Sequence, residues 1–262
     1  MKIAAACFLG LLSPLVSFAQ AASDDPYAWL EDVSGDRALT WARAQNAVSQ
    51  RELEASPNFK PIYDRLLTVL DSNARIPYVT KEGGLYYNFW HDAQHPRGVW
   101  RRTTLAEYRK PEPAWETVLD LDALAAAEKE SWVWNDVLWL RPQHDRVLLE
   151  LSRGGGDAVV IREFDLMTKS FVTDGFNAPE AKTDVAWRNR DSIYIGSNFG
   201  ADSTTTSGYA RIVKEWKRGT PLSAARTVFA GEVGDVSVRA SVSERFGFHH
   251  EFIRRGLTFF TS

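Results

Sequence analysis

Asp136-Val137-Leu138-Trp139 recurs as Asp184-Val185-Ala186-Trp187, and each copy is followed within about ten residues by a second short strand-forming run, Arg146 to Ser152 and Ser192 to Asn198. A period near fifty residues with several short strands per unit is that of a β-propeller blade. The constraint is strong because a unit of this kind cannot bury its own faces. It is stable only when stacked against neighbours of the same build.

Four units can be traced through residues 76–262. The second-strand pattern also occurs at Gly84 to Trp90 and at Gly256 to Ser262. Third strands are predicted at Val99 to Thr103, Val159 to Phe164 and Tyr209 to Trp216, and fourth strands at Glu116 to Leu121, Lys169 to Val172 and Arg226 to Ala230. The last unit holds only two, Val236 to Val242 and Phe252 to Ser262. Helices do not alternate with strands here, which excludes a parallel α/β sheet. Residues 22–75 read differently, as a helical extension. Asp36 is placed to cap a helix carrying Leu39, Ala42, Val48 and Leu53. Ser56-Pro57 opens a second, whose Ile62, Leu66, Val69 and Leu70 share one face. The fold class is mainly β, a partial propeller preceded by a helical extension.

Net charge is -3, from 31 basic and 34 acidic residues, and no basic run is long enough to form a field for a polyphosphate, so nucleic acid is not an expected partner. The first residues read as an address. Lys2, an apolar stretch from Ile3 to Val16 and the small-x-small triplet Ala19-Gln20-Ala21 predict a signal peptide over residues 1–21 and a mature start at Ala22. The stretch is shorter than the roughly twenty residues a bilayer requires, so the expected product is exported, periplasmic or secreted, with no membrane span after cleavage. Cys7 is the only cysteine and lies within that leader, leaving the mature chain with neither a disulfide nor a cysteine nucleophile.

Three stretches carry a family resemblance. Asp25-Pro26-Tyr27-Ala28-Trp29-Leu30-Glu31-Asp32 resembles the opening octad of the prolyl oligopeptidase family of serine peptidases. The order of residues in it answers no general structural need. Val99-Trp100-Arg101-Arg102 and the run Gly208-Tyr209-Ala210-Arg211-Ile212-Val213-Lys214-Glu215-Trp216-Lys217-Arg218-Gly219-Thr220 strengthen the match, which covers nearly all of residues 24–262. The resemblance implies a two-part enzyme in which a seven-bladed propeller caps a C-terminal α/β-hydrolase domain. In the parent, the propeller admits short peptides that are cut typically after proline. On that scale the chain holds the extension and about three and a half blades of seven, without the hydrolase domain.

No catalytic, cofactor or metal residue is assigned. A nucleophile elbow requires G-x-S-x-G, and Gly196-Ser197-Asn198-Phe199-Gly200 has the serine in the wrong place. His91, His95, His144, His249 and His250 are the available bases, with no elbow serine to activate. His249-His250-Glu251 lacks metal-site spacing, since neighbours on a strand point to opposite faces. His91 and His95 sit with Asp92 and Pro96 in a turn, and Gly154-Gly155-Gly156-Asp157 is a hairpin turn with no helix after it to hold phosphate. Asp202 to Ser207 reads as a long mobile loop, and Trp139 and Trp187 as core rather than as a sugar platform.

Two readings follow. The first is the N-terminal portion of an exported prolyl-oligopeptidase-like peptidase, inactive by itself, an incomplete product whose partners in the parent are short peptides and its own hydrolase domain. The second is a stand-alone propeller-type binding module in the periplasm that closes its open edges by dimerising. Sedimentation of the purified chain separates them: a discrete dimer favours the module, and monomer with heterogeneous aggregates favours the portion.

Overall fold

In the computed structural model, which describes residues 25–262, the repeat is built as a row of antiparallel meanders. The first blade has the order β1 (Thr80–Glu82), β2 (Leu85–Trp90), β3 (Val99–Thr103), β4 (Glu116–Asp120). The second runs β5 (Trp132–Trp139), β6 (Arg146–Arg153), β7 (Val159–Asp165), whose far edge is shared by β8 (Ser170–Phe171) and β9 (Asn177–Ala181). The third is β10 (Asp184–Asn189), β11 (Ser192–Gly196), β12 (Ile212–Lys217), β13 (Arg226–Ala230). A hairpin of β14 (Ser237–Arg245) and β15 (Phe248–Gly256) begins a fourth. The fold is thus a mainly β, partial propeller with helices before it, as expected, and its sheets do not close into a ring.

The described chain falls into two compact units, one up to Leu66 and one from Leu67 to Ser262. In the first, the octad starts a turn: Asp25 Oδ1 accepts from the Tyr27 amide at 2.7 Å and leads into a 3-10 turn at Ala28–Glu31. Trp29 then packs edge-on against Trp41 at 6.1 Å, with Arg37 over its ring at 4.1 Å. The octad therefore does serve a structural need, closing this turn onto α1 (Asp36–Glu54). Gly35, not Asp36, occupies the cap of α1, and α2 (Phe59–Leu70) begins two residues after Pro57. No described helix is long and apolar enough to cross a membrane. The expected signal peptide lies outside the described residues.

The blades stack because their middle strands are apolar on both sides. On β6, Val147, Leu149 and Leu151 point to the first blade and join Tyr87, Trp100 and Trp132, while Leu148 points the other way to Ile161, Trp187 and Ile193. An unbroken apolar run is the mark of a strand buried on both faces. The repeated tryptophan is the wedge between blades. Trp139 lies 4.6 Å from Tyr87 of the first blade, and Trp187 donates its indole N–H to Leu138 O of the second at 3.0 Å. Gly98 lets the chain turn into β3 at φ 106°, where a Cβ would come within 2.4 Å of the Phe89 ring.

Charge also joins the blades. Glu163 on β7 is fully buried and accepts both guanidinium nitrogens of Arg218, at 2.9 and 3.0 Å, together with the Phe176 amide at 2.9 Å. Arg146 stands 3.4 Å away. Glu82 does the same between the first two blades, meeting Arg141 at 2.5 Å and His144 at 2.9 Å.

Several expectations change. Leu257 to Ser262 is not a strand: Phe246 and Gly247, both at positive φ, make a two-residue turn that pairs Arg245 with Phe248, so the ladder ends with Ser237 opposite Gly256. Leu257, Phe259 and Phe260 are exposed beyond it. β1, β9 and the short helices α3 (Leu105–Tyr108) and α4 (Leu121–Glu128) have no counterpart in the sequence reading. Residues 202–207 are tied down rather than free, with Ser203 and Thr205 buried and Thr205 Oγ1 donating to Val236 O at 3.0 Å.

Glu163→Ala would leave Arg218 and Arg146 facing a buried gap. It is expected to destabilise the chain by about 3 kcal/mol, read as a lowered urea midpoint; an unchanged midpoint would contradict the role given to this pair.

Candidate functional site: the concave wall

The first strands of successive blades lie side by side, β14 along β10 and β10 near β5, and form a concave wall. Between their C-terminal ends is a cavity of about 400 Å³ whose lining includes Val137, Trp139, Ala186, Trp187, Ala240 and Val242, with Arg141, Arg188, Glu244 and Arg245 at its polar side. The charges of two of those arginines are engaged. Arg141 binds Glu82, and Arg188 reaches Glu215 at 2.7 Å and Glu251 at 2.9 Å.

The repeated aspartates stand on the same strands. Asp184 pairs with Arg239 of β14 at 3.3 Å. Asp136 lies opposite Glu150 in the β5–β6 ladder, and Glu150 accepts from Asn135 Nδ2 at 2.7 Å. Burial pushes the Glu150 carboxyl up to about 7; Asn135 and Arg239 oppose the shift, while the charges of Asp136 and Asp184 add to it. Burial likewise raises Asp184, against the pull of Arg239. Behind the wall, on β6, Glu150 is thus an acid near neutrality across the ladder from Asp136.

The histidines named as candidate bases lie apart from these carboxylates. Among the described residues no histidine is hydrogen-bonded to a serine or threonine hydroxyl. His95 Nδ1 lies 2.9 Å from Asp92 in the predicted turn, His144 meets Glu82, and His91 sits edge-on to Phe89 at 5.0 Å. His249 and His250 point to opposite faces of β15, the first between Glu244 and Glu251, the second between the rings of Phe248 and Phe252. The glycines at 154–156 join β6 to β7, as a hairpin turn should. Glu150 escaped the sequence reading. Its signal was a lone carboxylate in Val147-Leu148-Leu149-Glu150-Leu151, on a strand apolar on both sides.

Comparison with known proteins places this architecture. A family model described as the N-terminal β-propeller domain of prolyl oligopeptidase matches residues 16–246. The chain is 39% identical over 222 residues to an uncharacterized peptidase of Sinorhizobium fredii, covering 84% of this chain and 30% of that protein. It is 31% identical over 224 residues to an uncharacterized peptidase of Rickettsia prowazekii, covering 82% and 31%. Among solved structures, a post-proline cleaving enzyme from Rickettsia typhi superposes with a TM-score of 0.84 at 30% identity, over 88% of this chain and 35% of that one. Oligopeptidase B from Leishmania major, at 15% identity and a TM-score of 0.61 over 84% and 30%, shares the fold. The chain spans about a third of the length of the relatives it matches.

The raised Glu150 has a pH signature. Its folded-state value lies above the ordinary glutamate value of 4.5, so stability is lost as pH rises from about 4.5 through about 7. Glu150→Gln should match the wild type near pH 4 and exceed it at pH 8 by about 2 kcal/mol, discounted for partial solvent access. Parallel thermal melts across that range check it, and a constant difference at all pH values would refute it.

Proposed function

Because the chain belongs to the prolyl oligopeptidase family, whose N-terminal β-propeller it carries, we propose that it is the propeller portion of a serine-type peptidase that cuts short peptides after proline. Hydrolysis in the parent belongs to an α/β-hydrolase domain outside these 262 residues. Acyl transfer needs a nucleophile, a base within hydrogen-bonding reach and donors for the oxyanion. The concave wall offers carboxylates and arginines in their place. This chain's contribution is therefore access and peptide contact, and by itself it is inactive.

The observation that carries this reading is the likeness, at 30% identity and a TM-score of 0.84, to a post-proline cleaving enzyme. Export after removal of residues 1–21 is part of the same proposal, and N-terminal sequencing of the native protein should begin at Ala22.

The decisive experiment uses an antibody raised against residues 22–262 on the source cells. A band about three times the 29.5 kDa of this chain is expected from the relatives' lengths. The protein captured from that band should hydrolyse a chromogenic peptide with proline before the scissile bond, while the purified 262-residue chain should not. Hydrolysis by the isolated chain, or none by the captured protein, would overturn the proposal.

A further inference from the structure

β14 lies along β10 and β11, with Val238, Ala240 and Val242 in the shared apolar cluster, whereas β15 reaches the third blade through Glu251. Glu251 is the hub of that contact. Its Oε2 accepts from the Tyr194 hydroxyl at 2.5 Å, and its Oε1 accepts from Arg188 Nε at 2.9 Å and lies 2.9 Å from His249 Nε2. The other ring nitrogen, His249 Nδ1, lies 2.5 Å from Glu244 Oε1, directly across the hairpin. A carboxylate oxygen can only accept, so both ring nitrogens must carry a proton for both contacts to hold. The neutral ring has one bare lone pair, which would face a carboxylate oxygen.

We propose that His249 is a pH-dependent latch: as an imidazolium it bridges Glu244 and Glu251 within the hairpin and holds the Glu251 carboxylate where Tyr194 and Arg188 of the third blade bind it, and as a neutral ring it gives up one of the two carboxylates and loosens the hairpin.

The surrounding groups leave His249 as the member of this network that changes charge near neutrality. Glu244 and Glu251 hold it above the ordinary histidine value, against a small effect of burial. Burial pushes Glu251 upward, but the bonds from Tyr194, His249 and Arg188 bring it down to about 2, so it stays charged. Tyr194, on β11, is pushed up to about 12 by burial and by Glu251, and stays protonated. On β12, Glu215 is held low by Arg226 of β13 and by Arg188 of β10, against burial. Arg188 itself is raised by Glu251. His250, on the opposite face, stacks between Phe248 and Phe252 with no carboxylate partner. Because the folded-state value of His249 is raised, the latch is complete below the ordinary value of 6.5 and is lost as pH climbs through the folded value.

Hydrogen exchange of β15 amides in the full chain tests this, measured at about pH 5.5 and about pH 8.5, corrected for intrinsic rates and referenced to β6. Wild-type β15 should open about threefold more often at the higher pH, the scale of an exposed ion pair. Glu244→Gln should be equally protected at both, because a glutamine amide can donate to a neutral ring nitrogen. His249→Gln should lose the pH response, and His250→Gln should keep it. The latch is refuted by wild-type protection that does not vary with pH, or by an undiminished response in Glu244→Gln. Should His249→Gln prove too unstable to read, Glu244→Gln decides alone.

Discussion

The β region depends on one requirement, that the blade sheets bury their faces against one another. A single blade is about as thick as two side-chain layers and has no interior of its own, so its stability resides in the seams. The apolar middle of each seam supplies most of the burial, and the tryptophan that ends each repeat drives it. Trp139 inserts among Tyr87 and Trp100, and Trp187 inserts beside Phe176 while its indole nitrogen is satisfied by Leu138 O. A ring of that size with one polar atom suits the position, since it fills a wedge and fixes its own orientation. On β14 the equivalent place falls to Ala240, and there the seam relies more on charge, through Arg239 with Asp184 and Arg188 with Glu251.

The repeat made the blades legible because strands of this kind advertise themselves by composition. Val99–Thr103 and Arg226–Ala230 stand where their β-branched and aromatic residues predict, and β6 is longer by one residue than the run that marks it. Boundaries failed where a turn, not a strand, decided the outcome. Phe246-Gly247 carries none of the Asn or Asp that signals a two-residue hairpin, yet it sets the register of eighteen residues in β14 and β15 and turns Leu257 to Ser262 out of the ladder. β1 was missed for another reason. Three residues, Thr80–Glu82, form no pattern by themselves and become a strand only because β2 offers an edge.

The family was legible in the octad and in the run from Gly208 to Thr220, although the octad's purpose was not. Its order is dictated by a local closure, Asp25 on the Tyr27 amide and Trp29 on Trp41, which only coordinates reveal. The wall was less legible still. Asp136 and Asp184 stood out as members of a repeat, but Glu150 becomes an acid near neutrality mainly through burial, with additions from Asp136 across the ladder and from Asp184. No spacing along the chain expresses that relation.

Seams built this way hold the concave wall in one geometry. Apolar wedges such as Trp139 and Trp187 set the distance between blades, while the buried ion pairs at Glu163 and Glu82 set their angular register, because a carboxylate at full burial tolerates little displacement of its guanidinium partner. The cavity at the concave wall is therefore bounded by rigid strands and lined by arginines whose charges are largely engaged elsewhere. A wall of that character shapes and excludes. On the proposed function, that fixed surface is what an extended peptide would meet on its way to the scissile bond.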